Sequence, residues 1–559
     1  AYNAAGTDDR LLQRAGRAGD LGDRVVHGRE VGQDDHGAGR GDWSGQAPGG
    51  VAPVVCSTDE PTTEVGETPS DSGALRVRAD RDRLDEAKQQ GGRHQGGCAQ
   101  QRGQEEVVGV VAEGETIFAD GFGTRRLGTK QPVTADTLFA ICSCSKAFTT
   151  MLLEMLVEDG VLDWDQPVQE MLPEFEMFDR VVGARLTVRD LVTHRCGLPR
   201  HDYVWYGSSA KRPQLVQALR HLEPTADLRT TYQYQNLMYM TAGYLAGQLT
   251  DSSWEDLLRK RILEPLGMSA TSTSVAELKS CAVGARPHES RTGKVREVPY
   301  RSLDAVAPAG AINSSVNDMV RWMRLHLGGG RFEGKRLISS KSLRDMYRPH
   351  MSMGQDENAE IQLLSYGLGW TVMSYRGHRV ITHSGGIDGF RCRTTMLPDE
   401  GAGTVVLSNS DTALPHTLTW EILDTLLCLK SVAWSRRAKS ESRREQVAQR
   451  EARRRQLAGR TSGTKPSHRL DAYKGTYHHP GYGELEVRYE KRKLVARLND
   501  LDGRLKHFHY DTFEFHGRRW PTPLLLSFTT GADGGIPQLA LPLQEGVADI
   551  VFTRVVTEG

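Results

Sequence analysis

The run Ser143-Cys144-Ser145-Lys146 puts a hydroxyl and an amine three positions apart. On a helix, positions i and i+3 share a face about one turn apart, so Ser143 and Lys146 meet without help from distant chain. A serine hydroxyl is inert at neutral pH until a neighbour accepts its proton, and a lysine whose pKa is lowered by desolvation can accept it. The spacing predicts a nucleophile beside a base at a helix N-terminus, whose N–H groups and positive potential suit a developing oxyanion. The same spacing also fits an N-capping serine and a solvent-facing lysine. Two further sets follow in order. Tyr234-Gln235-Asn236 offers a phenol and an amide two residues apart, on one side of an extended or loop backbone. His383-Ser384-Gly385-Gly386 comes after Arg379–Thr382, read as a strand, and supplies an imidazole followed by glycines that admit a substrate carbonyl to the backbone. Ser145 is the weaker nucleophile candidate because adjacent helical residues point about 100° apart, and Cys144 has no histidine in a partner position.

These residues need elements to hold them. Phe148, Met151, Leu152, Met155 and Leu156 repeat with helical spacing up to Asp159-Gly160, a C-terminal stop. Thr187–Asp190 reads as a capping-box start, and Ser253 leads into a helix over Trp254, Leu257, Leu258 and Ile262 that should end before Pro265. Val107–Ala112, Glu113-Gly114 and Glu115–Phe122 read as two strands and a tight turn, and a second strand-rich stretch covers His378–Asn409. Strands at both ends with helices between predict an α+β domain whose sheet joins segments distant in sequence.

The order S-x-x-K, Y-x-N, H-x-G, with about 90 and about 150 residues between successive sets, resembles the serine β-lactamase and penicillin-binding-protein superfamily. The Y-x-N and H-x-G forms are similar to its class C β-lactamase, D-aminopeptidase and family VIII esterase branch. Thr137–Ile141, Asp190–Pro199, Pro308–Ser315, Tyr366–Trp370 and Gly385–Phe390 extend the likeness, over roughly Val107 to Lys430. The resemblance implies a β-lactamase/transpeptidase-like domain, an antiparallel sheet flanked by helices plus an all-helical subdomain. It implies that Ser143 forms an acyl-enzyme while Lys146 and Tyr234 share its proton, the Lys146 ammonium favouring the phenolate or relaying the proton. Asn236 would orient the substrate amide or the Lys146 amine, and the N–H groups of Ser143 and Gly386 would form the oxyanion hole. His383 and Gly385 complete the implied substrate-binding set. Where β-lactamases place a lysine that pairs with the drug carboxylate this chain has His383, so ester or D-amino-acid peptide hydrolysis is expected ahead of efficient β-lactam turnover. Cys142 stands where the family has glycine, and the candidate for the family's N-terminal helix, Asp80–Gln90, lacks an apolar stripe. A rival reading is a catalytically inactive scaffold or assembly protein on the same fold.

The remaining sequence sets the frame. At about 100–200 residues per domain, 559 residues predict two to four domains. Residues 1–106 hold no Phe, Ile or Met and 19 of the 59 glycines, a composition that predicts disorder or an aberrant reading. Residues 107–430 form the hydrolase-like domain. Residues 431–469 are a basic linker, read as a solvated helix: ten Lys or Arg against three Glu over 436–460, without interleaved aromatics. Residues 470–557 alternate, as in Leu494, Ala496 and Leu498, and predict a small β-barrel-like domain similar to those found behind such hydrolases. Its histidines His478, His479, His507, His509 and His516 are read as solvated strand positions rather than a metal cluster. With 71 basic and 71 acidic residues there is no expectation of a nucleic-acid partner. No apolar run approaches the roughly 20 residues of a membrane span, and the first thirty residues show no secretory signal pattern. Eight cysteines without a C-x-x-C pair suggest neither a disulfide framework nor a zinc site, and no cofactor is expected. The expected partner is a small-molecule or short-peptide acyl substrate. Its pocket is expected from the loops His201–Pro224 and Cys281–Pro308.

Overall fold

The computed structural model describes residues 106–291, 294–517 and 522–556. The expectations for residues 1–105, including the helix candidate Asp80–Gln90, lie outside the described residues. The central sheet has eight strands: β1 (Glu106–Ala112), β2 (Glu115–Phe122), β3 (Met351–Ser352), β4 (Ile361–Tyr366), β5 (Thr371–Tyr375), β6 (His378–Ile387), β7 (Phe390–Leu397) and β8 (Ala402–Ser408). Their order is β2-β1-β8-β7-β6-β5-β4-β3, antiparallel throughout, so β1 pairs with β8 nearly 300 residues later, Val107 opposite Leu407 and Ala112 opposite Ala402. The apolar run Val107–Ala112 is continuous because both faces of β1 are covered. Val107 and Val111 belong to the main core, while Val108 and Val110 belong to a second cluster with Trp420, Leu423 and Trp434.

Helix α1 (Ser145–Glu158) follows a short turn at Cys142–Cys144 and is buried on nearly every side, including Lys146, Thr149 and Glu154. It packs against α2 (Asn236–Leu249), and Phe148 stacks on Trp322 of α3 (Val316–Leu327) with ring centroids 3.8 Å apart. The latter helix crosses β1 at Gly109, where a Cβ would lie 2.7 Å from Val316. Helix α4 (Leu414–Leu426) covers the opposite face of the sheet. The capping box at Thr187 is present, with Asp190 accepting from the Thr187 N–H at 2.9 Å. The helix begun at Trp254 does not stop before Pro265. A wide turn over Arg259–Leu263 resets the bonding, so Pro265 falls in the first turn of Glu264–Leu266, where its missing N–H costs nothing, and Gly267 (φ 64°) ends the run.

Helix α5 (Trp434–Ala458) is the basic linker. Only Trp434 is buried, and the helix is tied to both neighbours, Arg437 to Glu360 at 2.8 Å and Arg453 to Glu514 at 2.6 Å. The last eight strands, β9 (Gly475–His479), β10 (Gly483–Glu490), β11 (Lys493–Leu498), β12 (Leu501–His509), β13 (Thr512–Gly517), β14 (Leu524–Thr529), β15 (Gln538–Leu541) and β16 (Ile550–Arg554), form a closed antiparallel barrel. Eight strands enclose a space that side chains fill. Tyr473, Tyr477, Phe513, Phe515 and Phe528 pack with the inward leucines, and this apolar cluster is continuous with the core of the first domain. Among the described residues no helix is long and apolar enough to cross a membrane, and no group of three His, Cys, Asp or Glu could hold a metal ion.

Candidate active site

Ser143 sits half-buried in the turn before α1, and the first turn of that helix brings Lys146 back beneath it. The Lys146 side chain is fully buried, and its Nζ lies 3.3 Å from Ser143 Oγ, 2.8 Å from Asn236 Oδ1 and 2.8 Å from the Ala309 carbonyl. The Tyr234 hydroxyl contacts Ser143, and Lys146 Nζ is 4.7 Å from the Tyr234 ring centroid. Tyr234 is held in a loop, Gln235 is extended and caps α2, and Asn236 opens that helix. Ser145 is buried and accepts from the Ile312 N–H, and Cys144 donates its thiol proton to the His383 carbonyl, which removes both as rivals for the cavity.

Burial, and next the Arg200 charge, push the Lys146 ammonium well below its ordinary pKa, with Asp202 opposing. Burial pushes the Tyr234 phenol up, against the smaller effects of Ser143 and Arg200. Both shifts favour the uncharged forms, amine and phenol, over ammonium and phenolate. Arg200 also stands beside Tyr234, its guanidinium 4.9 Å from the ring centroid.

Two residues that the sequence did not single out complete the site. Arg200 Nε donates to Asp202 Oδ2 at 2.6 Å, and Asp202 Oδ1 accepts from Asn236 Nδ2 at 3.0 Å and Trp205 Nε1 at 2.9 Å. Asn236 is thereby fixed, its carbonyl toward Lys146 and its amide N–H toward Asp202. The signal available in the sequence was Pro199-Arg200-His201-Asp202 at the edge of a pocket loop, which has no helical or strand period. His194 is a third missed residue: it is buried, 4.3 Å from the Tyr234 ring, and accepts from the Gln235 N–H at 3.0 Å. Burial and then Lys146 hold it well below the usual imidazole range, so it adds no charge.

A cavity of about 340 Å³ opens over Ser143, with Gly386 on its wall. Beyond Thr382, its last pair with β5, strand β6 pairs only with β7, which leaves its other edge beside the Ser143 turn. His383 and Gly385 do not line this cavity. The His383 ring is buried, Nε2 accepting from the Tyr366 hydroxyl at 3.0 Å and Nδ1 donating to the Ser384 carbonyl at 2.7 Å. At Gly385 a Cβ would meet Cys392 Sγ and the Ile141 carbonyl at 2.5 Å, so this glycine allows close packing behind the wall. Cys142, in the family's glycine position, adopts φ 50°, the left-handed region that disfavours a side chain by about 1 kcal/mol. Both expected loops reach the cavity, through Tyr203 and Trp205 and through Leu303 and Val306. A third segment does too: Leu501, Leu543, Gln544 and Glu545 of the barrel.

The beta-lactamase family model matches residues 85–427, beginning inside the Asp80–Gln90 candidate helix. The chain belongs to the beta-lactamase family. Its members among the relatives include serine hydrolases with peptidase and penicillin-binding-protein names. The unguisins hydrolase ungD of Aspergillus violaceofuscus is 31% identical over 422 residues, 68% of this chain and 73% of that one. Penicillin-binding protein 4 of Amycolatopsis lactamdurans is 27% identical over 53% of this chain and 80% of its own length, and the D-aminopeptidase of Brucella anthropi is 27% identical over 54% and 55%. The octameric penicillin-binding protein homologue from Pyrococcus abyssi shares the fold, with TM-score 0.55 and 18% identity over 85% of this chain and all of that one. Residues 459–554 of this beta-lactamase-family chain match a domain of unknown function, DUF3471.

Proposed function

We propose that this beta-lactamase-family protein hydrolyses an ester or amide carbonyl through an acyl-enzyme on Ser143, with Lys146 as the base. The placement of buried Lys146 against Ser143 carries the reading. A neutral amine has two N–H donors and one lone pair, and Asn236 Oδ1 and the Ala309 carbonyl take the two donors, each at 2.8 Å. Nζ donates to Ser143 Oγ across 3.3 Å in the resting site, and as an amine it would turn its lone pair to this hydroxyl and take its proton. As Oγ bonds to the carbonyl carbon its proton passes to Lys146. The carbonyl oxygen gains charge toward the backbone N–H groups of Ser143 and Gly386. The proton then moves from Lys146 by way of the Tyr234 hydroxyl to the departing alcohol or amine, and the C–O or C–N bond breaks. Water reverses the sequence: it gives a proton to the same pair, attacks the acyl carbon and releases Ser143 and the acid.

Arg200 limits the charge that can build up on the pair and supports a tyrosine that gives and takes a proton within one turnover. His383, in the place of the family's carboxylate-pairing lysine, is buried, bonded to Tyr366 and Ser384, and does not line the cavity. This favours esters and peptide amides over β-lactams, in keeping with the D-aminopeptidase and the unguisins hydrolase among the relatives. The test is intact mass after incubation with a fluorophosphonate, a β-lactam or a short-chain ester, on the full chain and on Ser143→Ala. One adduct that disappears in the variant is expected, with the ester adduct turning over and any β-lactam adduct forming slowly. No adduct on folded protein overturns the reading and leaves the inactive scaffold.

A further inference from the structure

Three cysteines surround the nucleophile. Cys142 and Cys144 flank Ser143 in its turn, and Cys392 of β7 lies behind them. Cys144 Sγ is 3.5 Å from Cys392 Sγ, and the Cys392 thiol also contacts the Cys142 side chain. Gly385 of β6 leaves the space in which they meet, since a Cβ there would lie 2.5 Å from Cys392 Sγ and 2.9 Å from Cys142 Cβ. All three are buried free thiols. Each donates to a carbonyl as well, Cys142 to Ala140 at 3.4 Å, Cys144 to His383 at 3.2 Å and Cys392 to Ile141 at 2.7 Å. In its reduced form the cluster therefore ties the Ser143 turn to β6 and β7 through hydrogen bonds and sulfur contacts.

Other small side chains would fill this space, but thiols can also join. Cys142 is the member of the cluster on the cavity wall, so an oxidant small enough to enter the cavity meets it first. It is held there at φ 50°, against the preference of a residue with a side chain. Burial disfavours a thiolate at Cys144, yet its bonds to Cys392 and His383 more than offset this and lower its pKa, whereas burial raises that of Cys392. Cys144 is thus the sulfur that gives up its proton first and attacks its neighbour.

We propose that this cluster is a peroxide-sensitive modification site: oxidation joins Cys144 to Cys392 by way of Cys142 and reversibly displaces Ser143. Hydrogen peroxide in the cavity oxidises the Cys142 thiol to a sulfenic acid and leaves as water. The Cys392 sulfur attacks the Cys142 sulfur, the S–O bond breaks, and hydroxide departs with the Cys392 proton as a second water. Cys144 then attacks the Cys392 sulfur, and Cys142 leaves as a thiol with the Cys144 proton. Two thiols are oxidised to one disulfide while one peroxide is reduced to two waters. The new bond closes the 3.5 Å gap to about 2.0 Å and removes the thiol donors from the His383 and Ile141 carbonyls. The turn that carries Ser143 must then move against β6 and β7, and a misplacement of about 1 Å costs about 10²-fold in rate. That loss of Ser143 reactivity rests on the acyl-transfer reading above; the disulfide does not.

The test is a peptide map of the full-length chain, reduced, exposed to hydrogen peroxide, blocked with N-ethylmaleimide and digested without reductant. A Cys144–Cys392 link is expected. Fluorophosphonate labelling of Ser143 in the same samples should fall by about tenfold or more and return with dithiothreitol. Cys392→Ala should label at the unmodified rate and be indifferent to peroxide. Cys144→Ala should halt the sequence at a Cys142–Cys392 link, so that either variant alone reads the order of steps. No link, a link between other cysteines only, or labelling unchanged by a Cys144–Cys392 link overturns the proposal. Labelling without any link defeats this proposal alone, and the link in a chain that does not label even when reduced defeats only the hydrolase reading.

Discussion

The two ends of the cavity are built on opposite plans. Around Ser143 the polar groups are tied to one another: buried Lys146 and Asn236 and half-buried Asp202 and Arg200 form a chain in which each member is held by the next. At the barrel end the polar groups sit on turns, where Asn499 (φ 56°), Asp500 and Gln544 reach across, while the barrel interior is apolar and aromatic. Buried polar groups are costly unless every one is partnered, so the first plan fixes geometry to a fraction of an ångström and tolerates no loss. Turns on a filled barrel carry no such constraint, and they can change sequence without endangering the fold. The comparison sets a linked polar network in the first region against adaptable turns in the second.

The largest effect that would sharpen this contrast is at Lys146. Lys146→Met should lower the rate of Ser143 labelling by about 10³ or more, because the proton acceptor is lost. Labelling rates measured by mass spectrometry check this, and a loss below tenfold would move the base elsewhere. Next is the joint between the regions. Arg301→Ala leaves the buried Asp388 carboxylate and Asp500 without their shared cation, and should cost about 3 kcal/mol of stability, read by denaturant unfolding. An effect near zero would mean that the barrel is not clamped through this residue.

Acid should act more on the first region than on the second. Burial holds the His326 imidazole down at about 3, and His416, by burial and then Arg393, at about 3 as well. These groups stay neutral in the fold but take a proton near 6.5 when unfolded, so their stabilisation is full above about 6.5 and is lost as pH falls. Each should remove about 2 kcal/mol between pH 7 and pH 5, and His326→Gln should cut the proton uptake on unfolding by about one. In the barrel, burial and then His221 hold His479 down at about 4. The smallest effect is expected on the helix between the regions: Arg450→Glu, on the exposed face of α5, should change stability by less than about 0.5 kcal/mol and labelling not at all. A larger change would give the basic helix a function beyond spacing.

Much of the hydrolase fold was legible because its signals are local. The helical repeat from Phe148 to Leu156, the turn at Glu113-Gly114 and the alternation at Leu494, Ala496 and Leu498 each depend on neighbours within a few residues. The wide turn before Pro265 was not legible, since proline stops a regular helix and only the observed backbone reveals the reset. His383 was readable as a motif member but not as a ring turned away from the cavity, because its direction depends on Tyr366 in a neighbouring segment of the sheet.

The sequence by itself determined that a serine and a lysine would share one helical turn, since the α-helix fixes that distance whatever surrounds it. Only the tertiary structure decided that the ammonium form of the lysine is disfavoured, because burial, and next the Arg200 charge, lower its pKa. It also decided that Glu545, some 400 residues after Ser143, faces the same cavity. Such a contact leaves no period or spacing in the chain, because it arises from the packing of two surfaces distant in sequence.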